Sequence, residues 1–333
     1  MSEKFQIFRE FTVNHAPPVN LLEKDQWVFQ DFFTQTIPEF HHTRLSNARV
    51  YFKHITKQGQ ILKEYCSSHP VPLRDRLLIP FKRVGYKKKE LDFALSLVTL
   101  FGDNFHHFLA EVVPLVIYGQ KFFGEHVPML IPAYYFKQPY IEPYLRLLKV
   151  NWVTFESREQ VVVKDLIVFK NLSIAHFNPQ LLDQIRLRLA PRTESPPWRK
   201  VFVSRAKARF RKVIEEESYY PLLKEKGFEI LSLEDYPVQD QIRIFSETKF
   251  LVGMHGAGLT NMVFMPKGGK VMELRAKTEE THIYNIFYVM ASACSHDYYY
   301  GLGQGTHQAN KLSDVKLSPI DFEKLLEESF NNA

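Results

Sequence analysis

The segment Phe250-Leu-Val-Gly-Met-His-Gly-Ala-Gly-Leu-Thr-Asn261 is the part of this chain best equipped for chemistry. It reads as a buried strand running into a glycine-rich turn and then a helix start. Gly253, Gly256 and Gly258 let the backbone take positive φ and approach a ligand closely. Free N–H groups at a helix start, with the helix dipole behind them, suit a phosphate. The spacing is neither the G-x-G-x-x-G that follows a first strand nor a Walker sequence with its lysine. Tight packing of helix on sheet is the plain alternative for the same glycines.

Two other groupings place titratable or charged side chains at useful spacing. His107 and Glu111 are four residues apart, so on a helix they share one face and can work as a base and its partner. His106 faces elsewhere and is expected to be structural. Arg205 falls just after a candidate strand, at the edge where α/β folds bind ligands, and Arg211 follows as a second cation.

The elements that must position these groups alternate along the chain. Candidate strands lie at Ala48–His54, Ile61–Tyr65 and Leu77–Pro80, then at Leu91–Leu100. Asn104 or Asp103 should cap a helix from Phe105 to Tyr118, with Pro114 kinking it or ending it early. Val127–Pro132 and Val150–Phe155 read as strands around a helix at Tyr140–Leu148, and Val161–Lys170 as one or two more strands. Asn178–Leu189 is helical, with Leu181, Leu182, Ile185 and Leu189 on one stripe.

The second half repeats the pattern. Strands at Lys200–Ser204, Phe228–Leu231, Phe250–Gly253 and Lys270–Leu274 alternate with helices at Ser218–Lys226, Val238–Thr248, Leu259–Phe264 and Thr281–Ala293. Such alternation implies parallel sheets covered on both faces, an α/β fold. The proline-rich stretch Ala190–Trp198 is the natural linker. It sets expected domains at 1–190 and 191–318, with the amphipathic helix of 319–333 able to pack back on the first.

At 333 residues, with 45% apolar and 24% charged content, the chain has room for two globular domains and is neither disordered nor fibrous. The net charge of +6 favours an anionic partner. The basic residues are scattered and carry no RRM, KH or zinc-finger pattern, which argues against nucleic acid. Cys66 and Cys294 stand far apart, pointing to free thiols in a reducing compartment. With no signal-like start and no long apolar run, the expected location is cytoplasmic, with peripheral membrane contact open.

Three ordered blocks make the chain resemble glycosyltransferase family 61, and its bacterial capsular-polysaccharide type in particular. They are Asp103-Asn-Phe-His-His-Phe-Leu-Ala-Glu-Val-Val-Pro114, Ser204-Arg205 with Arg211-Lys-Val-Ile-Glu-Glu216, and His255-Gly-Ala-Gly-Leu-Thr-Asn261 continued to Leu274. Glu215 stands where the family usually has Asn, and Lys212 where it often has Arg. The resemblance covers roughly residues 100 to 300. It implies a GT-B fold, two Rossmann-like domains facing across a cleft, with the donor nucleotide bound mainly by the C-terminal one. It also implies inverting, metal-independent transfer with no cofactor beyond the donor substrate. The chain contains no Asp-x-Asp, the usual metal–diphosphate ligand of the other common transferase fold.

On that resemblance, Glu111 is the expected base, with His107 holding it or acting itself. Arg205 and Arg211 are assigned to the donor diphosphate. His255 would donate to a phosphate oxygen or to the sugar, and Gly256, Ala257, Gly258 and Leu259 would offer backbone N–H groups. Thr260 and Asn261 would add side-chain donors or merely start the helix. Glu273, ending its strand, would accept from ribose hydroxyls, and Gln241 would line the base pocket. The expected partners are a nucleotide-sugar donor, UDP-sugar favoured, and a glycan or lipid-linked oligosaccharide acceptor in surface polysaccharide synthesis. A non-catalytic carbohydrate- or nucleotide-binding protein on a degenerate transferase fold is the alternative, and a nicotinamide-dependent oxidoreductase a weaker one.

Overall fold

The computed structural model describes residues 3–65, 85–170, 175–192, 195–278, 284–306 and 313–331. Cys66, the expected strand Leu77–Pro80 and the first three residues of the helix expected at Thr281–Ala293 lie outside them. The chain divides into two compact units, 1–11 with 36–176 and 12–35 with 177–333.

Strands are numbered along the chain. The first ten are β1 (Glu3–Phe8), β2 (Phe11–Asn14), β3 (Thr34–Ile37), β4 (Phe40–Tyr51), β5 (His54–Lys57), β6 (Gln60–Ile61), β7 (Lys87–Ser96), β8 (Pro128–Pro132), β9 (Asn151–Phe155) and β10 (Glu159–Phe169). β2 and β3 pair as a separate ribbon, and the other eight form one sheet ordered β6-β5-β4-β10-β7-β8-β9, with β1 also on β4. Only half of it is parallel: β10, β7, β8 and β9 run together, while β1, β4, β5 and β6 are antiparallel neighbours. Residues 3–61, in which the sequence suggests strands only at Ala48–His54 and from Ile61, supply the antiparallel half. Val161, Val163, Leu166 and Val168 pack with Leu45, Ala48, Val50 and Ala94 as its core.

The second unit holds β11 (Arg199–Val203), β12 (Phe228–Leu231), β13 (Thr248–Met254), β14 (Lys270–Lys277), β15 (Asp297–Gly305) and β16 (Val315–Lys316), ordered β12-β11-β13-β14-β15-β16. All its pairs are parallel except β15 with β16. Counted from β11, the parallel strands run 2-1-3-4-5, a doubly wound order. Its topological switch point lies between β11 and β13, outside their carboxyl ends.

Two domain expectations change. The division falls at 176/177, not 190/191, because helix Pro179–Leu189 buries Leu181, Leu182 and Ile185 and its Asp183 takes Lys267 of the second unit at 2.6 Å. The terminal helix Pro319–Asn331 also stays in that unit. Phe322 stacks on Tyr219 at 4.2 Å, and Phe322 and Leu326 join Phe202, Val252 and Met272 in its core. Among the described residues no helix is long and apolar enough to cross a membrane.

Candidate functional site

In the first unit, β7 delivers the chain through a loop to the helical segment that carries His107 and Glu111. Asn104 caps it, its side chain accepting the His106 N–H at 3.0 Å. The loop is tied down from behind. The Tyr135 hydroxyl donates to the Thr99 carbonyl at 2.9 Å, and the Tyr140 hydroxyl to that of Asp103 at 2.7 Å. A Cβ on Gly102 would lie 2.2 Å from the Tyr135 oxygen, so only glycine fits there.

Pro114 neither ends nor interrupts the helix. The turn before it, Phe108–Val112, widens so that the Val113 N–H reaches back five residues to the Phe108 carbonyl, and regular helix resumes over Val113–Phe123. Proline has no N–H for the Ala110 carbonyl and its ring would collide with it, so one wide turn absorbs the conflict. Such turns recur at functional sites, and this one contains Glu111. His107 Nδ1 and Glu111 Oε1 are 2.6 Å apart. The imidazole packs on Phe101 at 5.1 Å. His107 Nε2 and Glu111 Oε2 have no hydrogen-bond partner among the described residues, and neither atom is sealed from solvent.

In the second unit, β11 and β13 put Arg205 and the His255 turn side by side at the switch point. Buried Glu216 shapes the Arg205 loop: it takes the Ser204 hydroxyl, the Arg205 N–H at 3.1 Å and the Tyr220 hydroxyl at 2.9 Å. The Arg205 guanidinium donates to the Arg211 and Phe210 carbonyls at 2.8 and 2.9 Å. Burial lowers the basicity of Arg205, and the like charge of Arg211 lowers it further. Arg211 is lowered by burial too, with Glu273 opposing. Among the described residues neither guanidinium forms an ion pair with a carboxylate.

The glycines of the turn act by their size. Left-handed backbone was expected at Gly253, Gly256 and Gly258, yet none adopts it, and Gly256 is extended at φ 171°. A Cβ on Gly256 would lie 2.3 Å from Arg205 Nη1, on Gly258 3.1 Å from Val203, and on Gly253 3.2 Å from Leu259. Close approach leaves a methyl at Gly256 in collision with the guanidinium, and at Gly253 and Gly258 in contact tight enough that core side chains would have to give.

The helix that follows is a narrow 3₁₀ turn, Ala257–Phe264. Leu259 spends its N–H on the Gly256 carbonyl at 3.0 Å, which removes it as an expected anion contact. The Ala257 and Gly258 amides have no acceptor among the described residues, as expected of first-turn N–H groups. Thr260 and Asn261 are fully buried, and the Asn261 amide returns to the Gly258 carbonyl at 3.1 Å. They brace the turn from within. Gln241 spends its amide on the Leu233 and Tyr236 carbonyls at 2.9 Å each, pinning the loop before its helix.

Glu273 is not a strand end. β14 continues to Lys277, and Glu273 is fully buried, one carboxylate oxygen on His255 Nδ1 and the other accepting from the Tyr298 hydroxyl. Both oxygens are thus taken within the protein. Burial pushes this carboxyl up, but His255, Arg275 and Tyr298 outweigh it and hold it below the usual range. Burial pushes His255 below the usual imidazole range, with Arg275 and Arg211 helping and Glu273 opposing. A neutral His255 then donates through Nδ1 to a charged Glu273 and keeps a lone pair on Nε2. Phe287 flanks the imidazole at 5.1 Å.

Sequence reasoning missed Arg275, Tyr298 and Asn285. Arg275 follows Glu273 by two on the same strand face, which is the one signal that could have found it. It donates to Asn285 at 2.7 Å, and the Asn285 amide donates to the Val28 carbonyl at 2.6 Å.

The fold is α/β, with two charge-unpaired arginines and two open turn amides near the switch point of its doubly wound sheet. The description Glycosyltransferase 61 matches residues 105–272, half of the chain, from the His107–Glu111 segment to the strand that carries Glu273. The chain belongs to glycosyltransferase family 61. It is 35% identical over 85 residues to the EGF domain-specific O-linked N-acetylglucosamine transferase of Drosophila melanogaster, covering 24% of this chain and 16% of that protein. It is 32% identical over 83 residues to the protein O-linked-mannose beta-1,4-N-acetylglucosaminyltransferase 2 of Bos taurus, covering 25% of this chain and 14% of that one. The chain spans about a sixth of the length of these curated relatives, or less.

Proposed function

We propose that this chain is an inverting glycosyltransferase that moves a sugar from a nucleotide sugar, foremost a UDP-sugar, to a glycan hydroxyl. One observation carries the reading: Arg205 and Arg211 are half-buried and unpaired with any described carboxylate, and the Arg205 guanidinium packs against Gly256, at the start of the turn whose Ala257 and Gly258 amides are open. Two cations and a row of amides complement a diphosphate, and they can meet the charge of a departing nucleoside diphosphate without a metal. His255 gives its Nδ1–H to Glu273, so it has no proton for a phosphate oxygen and instead accepts through Nε2 from a sugar hydroxyl. The His107–Glu111 pair takes the proton of the acceptor hydroxyl.

In this reading the second unit holds the donor and the first carries the base. The names of the relatives support N-acetylglucosamine as the first donor sugar to test. A surface polysaccharide or lipid-linked oligosaccharide, met at the cytoplasmic face of a membrane, is the proposed acceptor.

A thermal-shift screen with UDP-, GDP-, CMP- and dTDP-sugars tests the donor. A ligand at a hundred times its Kd stabilises by about 2.7 kcal/mol, and UDP-N-acetylglucosamine is expected to give the largest rise in Tm. No shift with any sugar nucleotide would sink the reading.

Gly256→Ala tests the geometry. The new methyl displaces a guanidinium whose nitrogens are tethered to two carbonyls, while the extended backbone accepts alanine without strain. A lost charge-assisted hydrogen bond costs about 1.5–3 kcal/mol, so UDP affinity by calorimetry is expected to fall roughly 10- to 100-fold. Gly258→Ala, which meets only Val203 and Leu233, should lower Tm more than affinity.

A further inference from the structure

The hairpin turn between β4 and β5 contains an anomaly. Tyr51 pairs with His54, leaving Phe52 and Lys53 as a two-residue turn, and Phe52 has φ 49°. Such turns favour Asn, Asp or Gly, because bulky side chains are strained in left-handed backbone. Phe52 is also 40% exposed, so the strain is not repaid by deep burial. A strained, exposed aromatic is a reason to ask what its ring touches.

Its neighbours lead to the His107–Glu111 pair. The Phe52 ring meets the Tyr134 ring at 5.4 Å and a tilt of 41°, so the two open as a shallow V. The Lys53 ammonium lies within 5.8 Å of the one ring and 5.4 Å of the other, and donates to the Leu100 carbonyl at 2.9 Å. The next residue, Phe101, is 37% exposed and is the ring packed against His107. Two exposed aromatics, Phe52 and Phe101, are thus linked through the Lys53–Leu100 bond to the imidazole held by Glu111.

We infer that Phe52 and Tyr134, with Phe101, form a stacking subsite for a pyranose ring of the acceptor glycan. One face of a pyranose carries several axial C–H groups and little polarity, and it packs on the electron-rich face of an aromatic ring. The hydroxyls project outward from the ring rim, within reach of an ammonium such as that of Lys53. An acceptor sugar seated here is delivered to His107 and Glu111 from within the same unit. The inference deepens the transferase reading and rests on it for the name of the bound sugar. It does not rest on which nucleotide is the donor.

Saturation-transfer NMR with methyl glucoside, methyl mannoside and methyl galactoside tests it on the whole chain. At least one is expected to receive saturation on the C–H protons of one ring face, and Phe52→Asn to weaken its binding about tenfold, the scale of losing an aromatic anchor. Asn tolerates the left-handed backbone, so Phe52→Asn is also expected to raise Tm, whereas a structural phenylalanine would lower it on removal. Phe52→Trp should retain the sugar contact. Undiminished binding by Phe52→Asn, or no contact by any of the three sugars, overturns the subsite. A UDP thermal shift on the same samples separates that outcome from failure of the donor reading.

Discussion

Replacing Glu111 with Gln is expected to lower kcat by about 10²–10⁴-fold, the range for loss of a positioned general base, while the thermal shift given by UDP stays in place. Gln has the size to remain on His107, where Glu111 now sits 2.6 Å from Nδ1. It can neither take a proton nor stabilise an imidazolium. The groups assigned to the diphosphate, Arg205, Arg211 and the turn amides, belong to the other compact unit. Binding and chemistry should therefore separate.

The companion variant His107→Asn assigns the proton. If the acid limb of the kcat/KM pH profile survives in His107→Asn and is lost in Glu111→Gln, the carboxylate is the base. If it is lost in His107→Asn but persists in Glu111→Gln, shifted to lower pH, the imidazole is the base and Glu111 orients it, as in other carboxylate–histidine pairs. Normal turnover by both variants would remove the pair from the mechanism.

What the sequence revealed about this site was local. His107 and Glu111 needed only helical spacing, and Arg205 and His255 needed only the habit of α/β strands to end at a ligand. Interactions set by packing between distant segments stayed hidden. Tyr298 meets Glu273 because β15 pairs with β14 in a register that sets Glu273 beside Tyr300. Asn285 is held by Val28, from a segment more than 250 residues earlier.

The glycines show a subtler limit. A glycine chosen for φ and one chosen for size are the same letter, and only the neighbour at Cβ distance tells them apart. Glu215 is the converse case. The resemblance to family 61 implies Asn at this position, and the backbone there is left-handed, φ 57° and ψ 39°, a conformation that Asn tolerates better than Glu. The proline-rich stretch read as a linker ends tied to the sheet, with the Trp198 and Arg199 N–H groups both on the Glu247 carbonyl at 2.9 Å. Composition does not report where backbone hydrogen bonds go.

Glu273 is where stability and function should fail together. Glu273→Ala leaves His255 Nδ1, the Tyr298 hydroxyl and the nearby charge of Arg275 without their anionic partner in a buried place. Breaking a buried pair from one side costs about 3–5 kcal/mol, and urea unfolding is expected to show a loss of that size. Should that variant not fold, Glu273→Gln keeps an acceptor for His255 while removing the charge, so a smaller loss is expected together with a fall in kcat/KM.

The pH dependence carries a definite sign. A carboxyl held below its usual range contributes stability that is complete above the unfolded-chain value, about 4.3, and is lost as pH falls through its lowered folded value. An imidazole held below its usual range makes the unfolded chain the better proton binder from about pH 6.5 downward. Both slopes run the same way, so wild-type stability is expected to decline on acidification from near pH 6.5 and to keep declining through the carboxylate range. In Glu273→Gln the carboxylate share of that decline should disappear and the plateau near neutrality should sit lower. An unchanged plateau and an unchanged acid slope would show that this buried network does not hold the second unit together, and the orientation of His255 would then need another source.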